Sequence, residues 1–270
     1  MGGSCDIMAE NSAEVKKMLS ENSLPILEFD DCKTAKINPQ TFAGQPFDTD
    51  KLVITFFPEV LDRLIAEGAI VHERTISGEN PVVLYRFADS DVLILLGAIG
   101  CPACAGNLDL LNGMGIEKVM FCGGGGVLDR KIEVGQLLLV EEAIRDEGFS
   151  YHYIEPSRTI RTDPAITAKI AAYLDEHSVS YLRGITWTTD ALFRETAERI
   201  ERRRAEGAQI VEMEQAGCIA VAQFRGFAYG ALIYGGDDVS GQEWDNRSWR
   251  SRKGIRHDMV MLCKQLVQII

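Results

Sequence analysis

Ala208-Gln-Ile-Val-Glu-Met-Glu-Gln-Ala-Gly-Cys-Ile-Ala-Val-Ala222 changes periodicity halfway along. Ile210-Val211 is a short apolar run of strand character. After Glu212-Met213-Glu214, the apolar residues Ala216, Ile219, Ala220 and Ala222 recur at helical spacing. A strand therefore hands over to a helix at two carboxylates. In α/β sheets the crevice at the carboxyl ends of strands is where small ligands bind. Two readings stand side by side. The carboxylates hold vicinal hydroxyls or stabilise a growing positive charge, or they only favour the positive N-terminal end of the helix.

The same strand-to-helix rhythm extends in both directions. Strands are expected at Leu52–Phe57, Asp91–Leu96, Lys118–Cys122, Gln136–Ala143, Tyr181–Trp187 and Ala228–Tyr234, and a hairpin over 69–87. Helices are expected at Pro58–Glu67, Cys101–Asn112, Pro164–His177, Phe193–Glu206 and Arg250–Ile270. Leu24–Phe29 reads as a short strand and residues 37–50 as loop. The alternation predicts one α/β domain over 24–270, a three-layer α/β/α sandwich around a mostly parallel or mixed sheet, after a polar leader over 1–23.

Composition narrows the function. The chain has 270 residues, 46% of them hydrophobic, and a net charge of −12. That charge argues against nucleic acid and anionic membranes as partners. No apolar run reaches the ~18 residues of a membrane span. The seven cysteines are scattered and odd in number, which fits free thiols in a reducing cytoplasm. Cys101-Pro-Ala-Cys104 has redox spacing, yet no second pair completes a metal site; a structural role at a helix start competes with redox chemistry.

Four strand ends carry unusual residues. Gly123-Gly124-Gly125-Gly126 follows a buried strand, and such a run lets backbone N–H groups converge on an anion, or serves as a flexible turn. Thr188-Thr189-Asp190 follows another strand; these groups suit a helix cap. Leu192-Phe193 beside them suit the wall of a planar-ligand pocket. Asp237-Asp238 ends the last strand, where paired carboxylates can supply a general acid or can simply be solvated. With Glu212 and Glu214, these ends offer what a nucleoside and its attacking anion or water need.

In this order the motifs resemble the nucleoside phosphorylase and nucleosidase superfamily. Gly97-Ala-Ile-Gly100-Cys-Pro102 is similar to its glycine-rich turn, and Phe121-Cys-Gly-Gly-Gly-Gly-Val-Leu128 to its phosphate strand end. The stretches 142–153 and 188–196 resemble a uridine phosphorylase-like subgroup. Val211-Glu-Met-Glu-Gln-Ala216 resembles the ribose signature. The resemblance implies a nucleoside phosphorylase, a pentosyltransferase of nucleoside salvage giving free base and ribose 1-phosphate, with hydrolysis or non-catalytic binding as alternatives. It implies Glu214 and Asp238 as catalytic, Glu214 on the ribose hydroxyls and Asp238 on N7 of the leaving base. Glu212, Met213, Leu192, Phe193, Thr189, Gly123, Gly124 and Gly125 would line the substrate site. The family's phosphate arginine is replaced by Phe121-Cys122, and its early Gly-Asp-Pro-x-x-Arg loop is matched to Phe29–Lys33, leaving Lys33 as the charge for phosphate. Phosphate is thus a co-substrate, with no metal and no other cofactor. A cytoplasmic homo-oligomer is expected, with Trp244 and Trp249 as a lid or a subunit contact.

Overall fold

The computed structural model describes residues 21–42, 44–78 and 81–270; the expected leader lies mostly outside them. The predicted alternation is present. In chain order come α1 (Pro39–Phe42), β1 (Lys51–Thr55), α2 (Pro58–Ala66), β2 (Ile70–Ile76), β3 (Val82–Phe87), β4 (Leu93–Leu96) and α3 (Cys101–Asn112). Then follow β5 (Lys118–Val127), β6 (Leu137–Asp146), β7 (Thr159–Arg161), α4 (Pro164–Glu176), β8 (Tyr181–Thr189) and α5 (Ala197–Ala205). The last are β9 (Ala208–Glu212), α6 (Gln215–Arg225), β10 (Ala228–Asp238) and α7 (Lys253–Leu266).

The strands form one mixed sheet in the order β10-β6-β8-β9-β5-β1-β4-β3-β2. An additional β10–β5 pairing closes five of them, β5, β10, β6, β8 and β9, into a ring. A mostly parallel or mixed sheet was expected and the sheet is mixed; the ring is what the sequence pattern did not reveal. One face packs α3 and α6 over a core that includes Leu108, Phe121, Val119 and Ile219. The other packs α2, α4 and α7 over Val53, Ile94, Met120, Leu174 and Val260. These are the three layers.

Several boundaries differ from the expected ones for physical reasons. Leu24–Phe29 is no strand: Pro25 starts a 3-10 turn over Pro25–Leu27 whose residues find no ladder partner. The expected helix at 193–206 splits into a 3-10 turn, Leu192–Arg194, and α5 from Ala197. Residues 37–50 hold the one-turn α1, and the closing helix begins at Lys253 rather than Arg250.

The largest correction concerns Gly123–Gly126. They are not a loop. β5 runs through them, pairing Gly123 with Ile233, Gly124 with Tyr234 and Gly125 with Gly235 on β10, and Gly126 with Val211 on β9. A Cβ on Gly124 would sit 2.7 Å from the Tyr234 ring, and one on Gly125 would strike Ile210 and the Val211 carbonyl. The glycines let the ring of strands close tightly. Gly125→Ala is therefore expected to lower stability by about 1–3 kcal/mol, read as an earlier urea midpoint; an unchanged midpoint would remove this account of the run.

Candidate active site

The functional side chains gather where β4, β5, β8, β9 and β10 end. β1 and β4 stop level with the middle of β5: Thr55 pairs with Leu96 and with Cys122. β9 takes up the same edge of β5 only from Gly126. A gap thus opens beside Gly123–Gly125. The Phe56 N–H donates to the Cys122 carbonyl, so Cys122 faces the β1 edge. Backbone alternation then turns the Gly124 peptide into the gap.

Glu212 and Glu214 take opposite sides of the ambiguity posed by their sequence. Glu212 is a structural cap. One carboxylate oxygen accepts from Thr188 Oγ1 at 2.5 Å, and the other from the backbone N–H groups of Glu214 and Gln215 at 2.6 and 2.7 Å. Thr188 Oγ1 also accepts from the Ala216 N–H at 3.0 Å, tying β8 to the start of α6. The expected substrate role of Glu212 is thereby replaced by helix capping.

Glu214 is fastened differently. Its Oε1 accepts from the Gly100 N–H at 2.7 Å, at the start of α3, and its Oε2 from the Met213 N–H at 3.3 Å. Gly100 has φ 91°, a conformation that favours glycine and aims that N–H at the carboxylate. An ionised carboxylate has about four acceptor positions, so two remain for vicinal hydroxyls. Burial pushes the Glu214 carboxyl well above the ordinary range, and the neighbouring Glu212 charge pushes it further. Glu212 also rises by burial, opposed by the Thr188 hydroxyl and the backbone donors of Gln215 and Glu214.

Asp238 ends β10, opposite Val127. It is 1% exposed. Oδ1 accepts from the Ser240 N–H at 2.8 Å and hydroxyl at 2.6 Å. Oδ2 is buried with no hydrogen-bond partner among the described residues. Arg130 Nε stands 3.9 Å from it. β9 and β10 flank β5, with Val211 opposite Gly126 and Asp238 opposite Val127. Two strand spacings put their backbones ~10 Å apart.

Met213 is half-buried between the two glutamates. Leu192 and Phe193 stand exposed, Phe193 at 94%, on the turn after β8. Glu195, which follows that turn, is pushed up to about 7 by burial and by the charge of Asp237 on β10. Trp244 Nε1 donates to Asp237 Oδ2 at 2.6 Å. Trp249 packs toward Tyr234 and Arg256, against Gly124 and Gly236. Thr189 is absorbed locally, its Oγ1 accepting from the Ala191 N–H at 3.2 Å.

Lys33 does not join this group. Its ammonium donates to the Phe224 carbonyl at 2.9 Å and lies over the Phe224 ring. Phe224 is nine residues along α6 from Gln215, so Lys33 sits ~14 Å from the Glu214 end at 1.5 Å per residue. The match of Phe29–Lys33 to a phosphate loop is corrected accordingly. The strand-to-helix turn at the site is Phe56-Phe57-Pro58-Glu59, between β1 and α2. Phe56 rests on Gly97, where any Cβ would meet its ring, and packs 5.0 Å from the Phe121 ring. Both rings are aromatic carbon and offer no hydrogen bond or charge to an anion. Nearby Arg256 is held by Glu59 and Tyr234. Arg130, on the exposed connection after β5, carried no sequence signal at all.

Cys101 and Cys104 are buried, and the Cys104 sulfur lies 3.8 Å from that of Cys218. Burial pushes the Cys101 thiol up, and Cys104 is raised as well. Both pack the start of α3 against α6, the structural alternative for this motif.

The fold finds counterparts among known proteins. The family model for the phosphorylase superfamily matches residues 50–259. Guanosine phosphorylase of Halorubrum lacusprofundi is 28% identical over 155 residues, 57% of this chain and 64% of that protein; the chain thus covers under two thirds of that relative. Uridine phosphorylase of Vibrio fischeri superposes with a TM-score of 0.66 at 17% identity, covering 85% of this chain and 98% of that one. AMP nucleosidase of Bacteroides thetaiotaomicron gives 0.66 at 20% identity, over 82% and 87%. At these identities the two structures speak for the fold.

Proposed function

The chain belongs to the phosphorylase superfamily, and on that premise we propose that it cleaves the N-glycosidic bond of a nucleoside, with water as the nucleophile. The observation that carries the cleavage is the buried Oδ2 of Asp238, which accepts no hydrogen bond among the described residues and has only the exposed Arg130 near it, set across β5 from a Glu214 that keeps acceptor positions free. Glu214 would take the ribose 2′- and 3′-hydroxyls, with Met213 against the sugar. As the bond from C1′ to the base breaks, its electron pair leaves with the base. Asp238 donates a proton to the base nitrogen, and the charge left on its carboxylate faces Arg130. The cationic sugar is stabilised by nearby negative charge. Water adds its oxygen to C1′ and releases a proton to solvent, from which Asp238 is reprotonated.

Water is favoured over phosphate by Phe56 and Phe121, which offer an anion no hydrogen bond, and by the placement of Lys33. A lysine or arginine paired with phosphate contributes through charge that aromatic carbon lacks. Phosphorolysis is the second reading. The names of the relatives and the Gly124 amide in the gap favour it. Base release measured with and without phosphate separates the two: equal rates, with ribose carrying ¹⁸O from labelled water, are expected. A strict phosphate requirement with ribose 1-phosphate as product would overturn the choice of water.

A further inference from the structure

Away from the strand ends, the far halves of α3 and α6 border a cavity of about 410 Å³. Its walls are Gly106 and Leu110 of α3, Phe224 and Arg225 of α6, and the segment 32–42 that crosses both helices. Two features of this lining have no explanation in packing. The first is Gly106, in the interior of α3. Glycine is unfavourable inside a helix and is of use there when something must come close. A Cβ at Gly106 would meet no neighbouring atom within 4 Å. The missing side chain leaves room in the cavity.

The second feature is the Lys33 ammonium. It lies 3.6 Å from the centre of the Phe224 ring and donates one N–H to the Phe224 carbonyl at 2.9 Å. An ammonium has three donors, so two remain, and no carboxylate among the described residues is ion-paired with it. The other charges of the lining cancel. Asp109 accepts from Arg225 Nε and Nη2 at 2.7 and 3.1 Å, and from the Tyr153 hydroxyl at 2.8 Å. Arg225 Nη1 donates to the Lys33 carbonyl at 3.1 Å and so ties the lysine's segment to α6. With the exposed His152 neutral, one positive charge is left over, in a chain whose net charge is −12. Beside it Phe42 and Ile37 stand 66% and 67% exposed. An unpaired cation among open apolar side chains matches a ligand that has both an anion and an apolar body.

We propose that this cavity is a second small-molecule site, which binds a monoanionic carboxylate carrying a planar body of one or two rings. The carboxylate accepts from Lys33, and the rings lie over Gly106 against Phe42 and Leu110. The single excess charge favours a monoanion; a phosphate monoester would bring a second negative charge toward Asp109. α3 and α6 are also the helices whose first turns fasten Glu214. The two sites therefore share a frame without sharing residues.

The probes are 2-naphthoate, its neutral counterpart 2-naphthamide and the dianion 2-naphthyl phosphate, titrated by calorimetry at pH 8 into the full-length protein. Naphthoate is expected to bind once per chain, on the order of tenfold more tightly than either of the others. An excess of an iminoribitol nucleoside analogue should leave that affinity within twofold. Lys33→Met keeps the apolar stem and should remove the margin over the amide. Gly106→Leu fills the cavity and should abolish binding without lowering Tm; were it to unfold, Lys33→Met, at an exposed position, still decides. No naphthoate binding, equal binding of acid and amide, an unchanged margin in Lys33→Met, undiminished binding in a folded Gly106→Leu, or displacement by the nucleoside analogue would each overturn the assignment. A wild type that binds no naphthoate and sediments as a larger species than Gly106→Leu would show the cavity to be a contact between copies of the chain instead.

Discussion

Asp238→Asn should lower kcat on a natural nucleoside by 10²- to 10⁴-fold, the range expected for loss of a positioned general acid. The amide retains the Oδ1 contacts with Ser240, so the end of β10 should keep its shape. It has no acidic proton to give. The loss must therefore depend on the leaving group. A purine departs poorly as an anion and needs the proton; p-nitrophenolate departs without one. The variant should keep p-nitrophenyl riboside activity within about tenfold of wild type. Equal losses on both substrates would show that Asp238 shapes the pocket and does not act on the base.

Glu214→Gln carries the second large effect. Hydrogen bonds to a charged group are worth about 1.5–3 kcal/mol each, and two ribose hydroxyls are at stake. The predicted loss in kcat/KM is therefore about 10²- to 10⁴-fold, and here the two substrates should suffer alike because both carry the sugar. A pH signature accompanies it. Hydroxyls donate to the ionised carboxylate, whose proton affinity burial raises. Wild-type kcat/KM should rise with pH through the neutral range as that proton is lost, and the glutamine variant should lack this rise. The sign for stability is opposite. The unfolded glutamate ionises near its ordinary value of about 4.3, whereas the folded one ionises higher. Between these values the folded state holds the extra proton, so its stability falls as pH rises. The variant's Tm should exceed that of wild type at pH 8.5, with the gap closing below pH 4. A gap independent of pH would contradict the raised proton affinity.

Much of this was legible in the strand-to-helix alternation. Cys101–Asn112 is the helix its spacing and Pro102 predict, Asp238 ends β10, and Glu214 sits at the junction of β9 and α6 as its flanks imply. What escaped the sequence is long-range. Four consecutive glycines read locally as a turn, because nothing in them reveals that β9 and β10 close against β5 and need the room. Glu212 and Glu214 look equivalent two residues apart; only the Thr188 hydroxyl from β8 commits one of them to capping. Lys33 seemed available because charge alone was considered, and its docking on Phe224, 191 residues away, leaves no local trace. Phe121 reads as a core strand residue and is one, whereas Phe56 falls just past β1 and is half-buried; that their rings pack together follows only once β1 and β5 lie side by side.

The account turns on Glu214 and Asp238 gripping one molecule from opposite edges of β5. A crystal structure with a cationic iminoribitol nucleoside analogue tests this most directly. It should place both sugar hydroxyls within hydrogen-bond distance of the Glu214 carboxylate and a protonated base nitrogen on Asp238 Oδ2. An analogue bound away from these strand ends, with Asp238 Oδ2 still unpartnered, would contradict it.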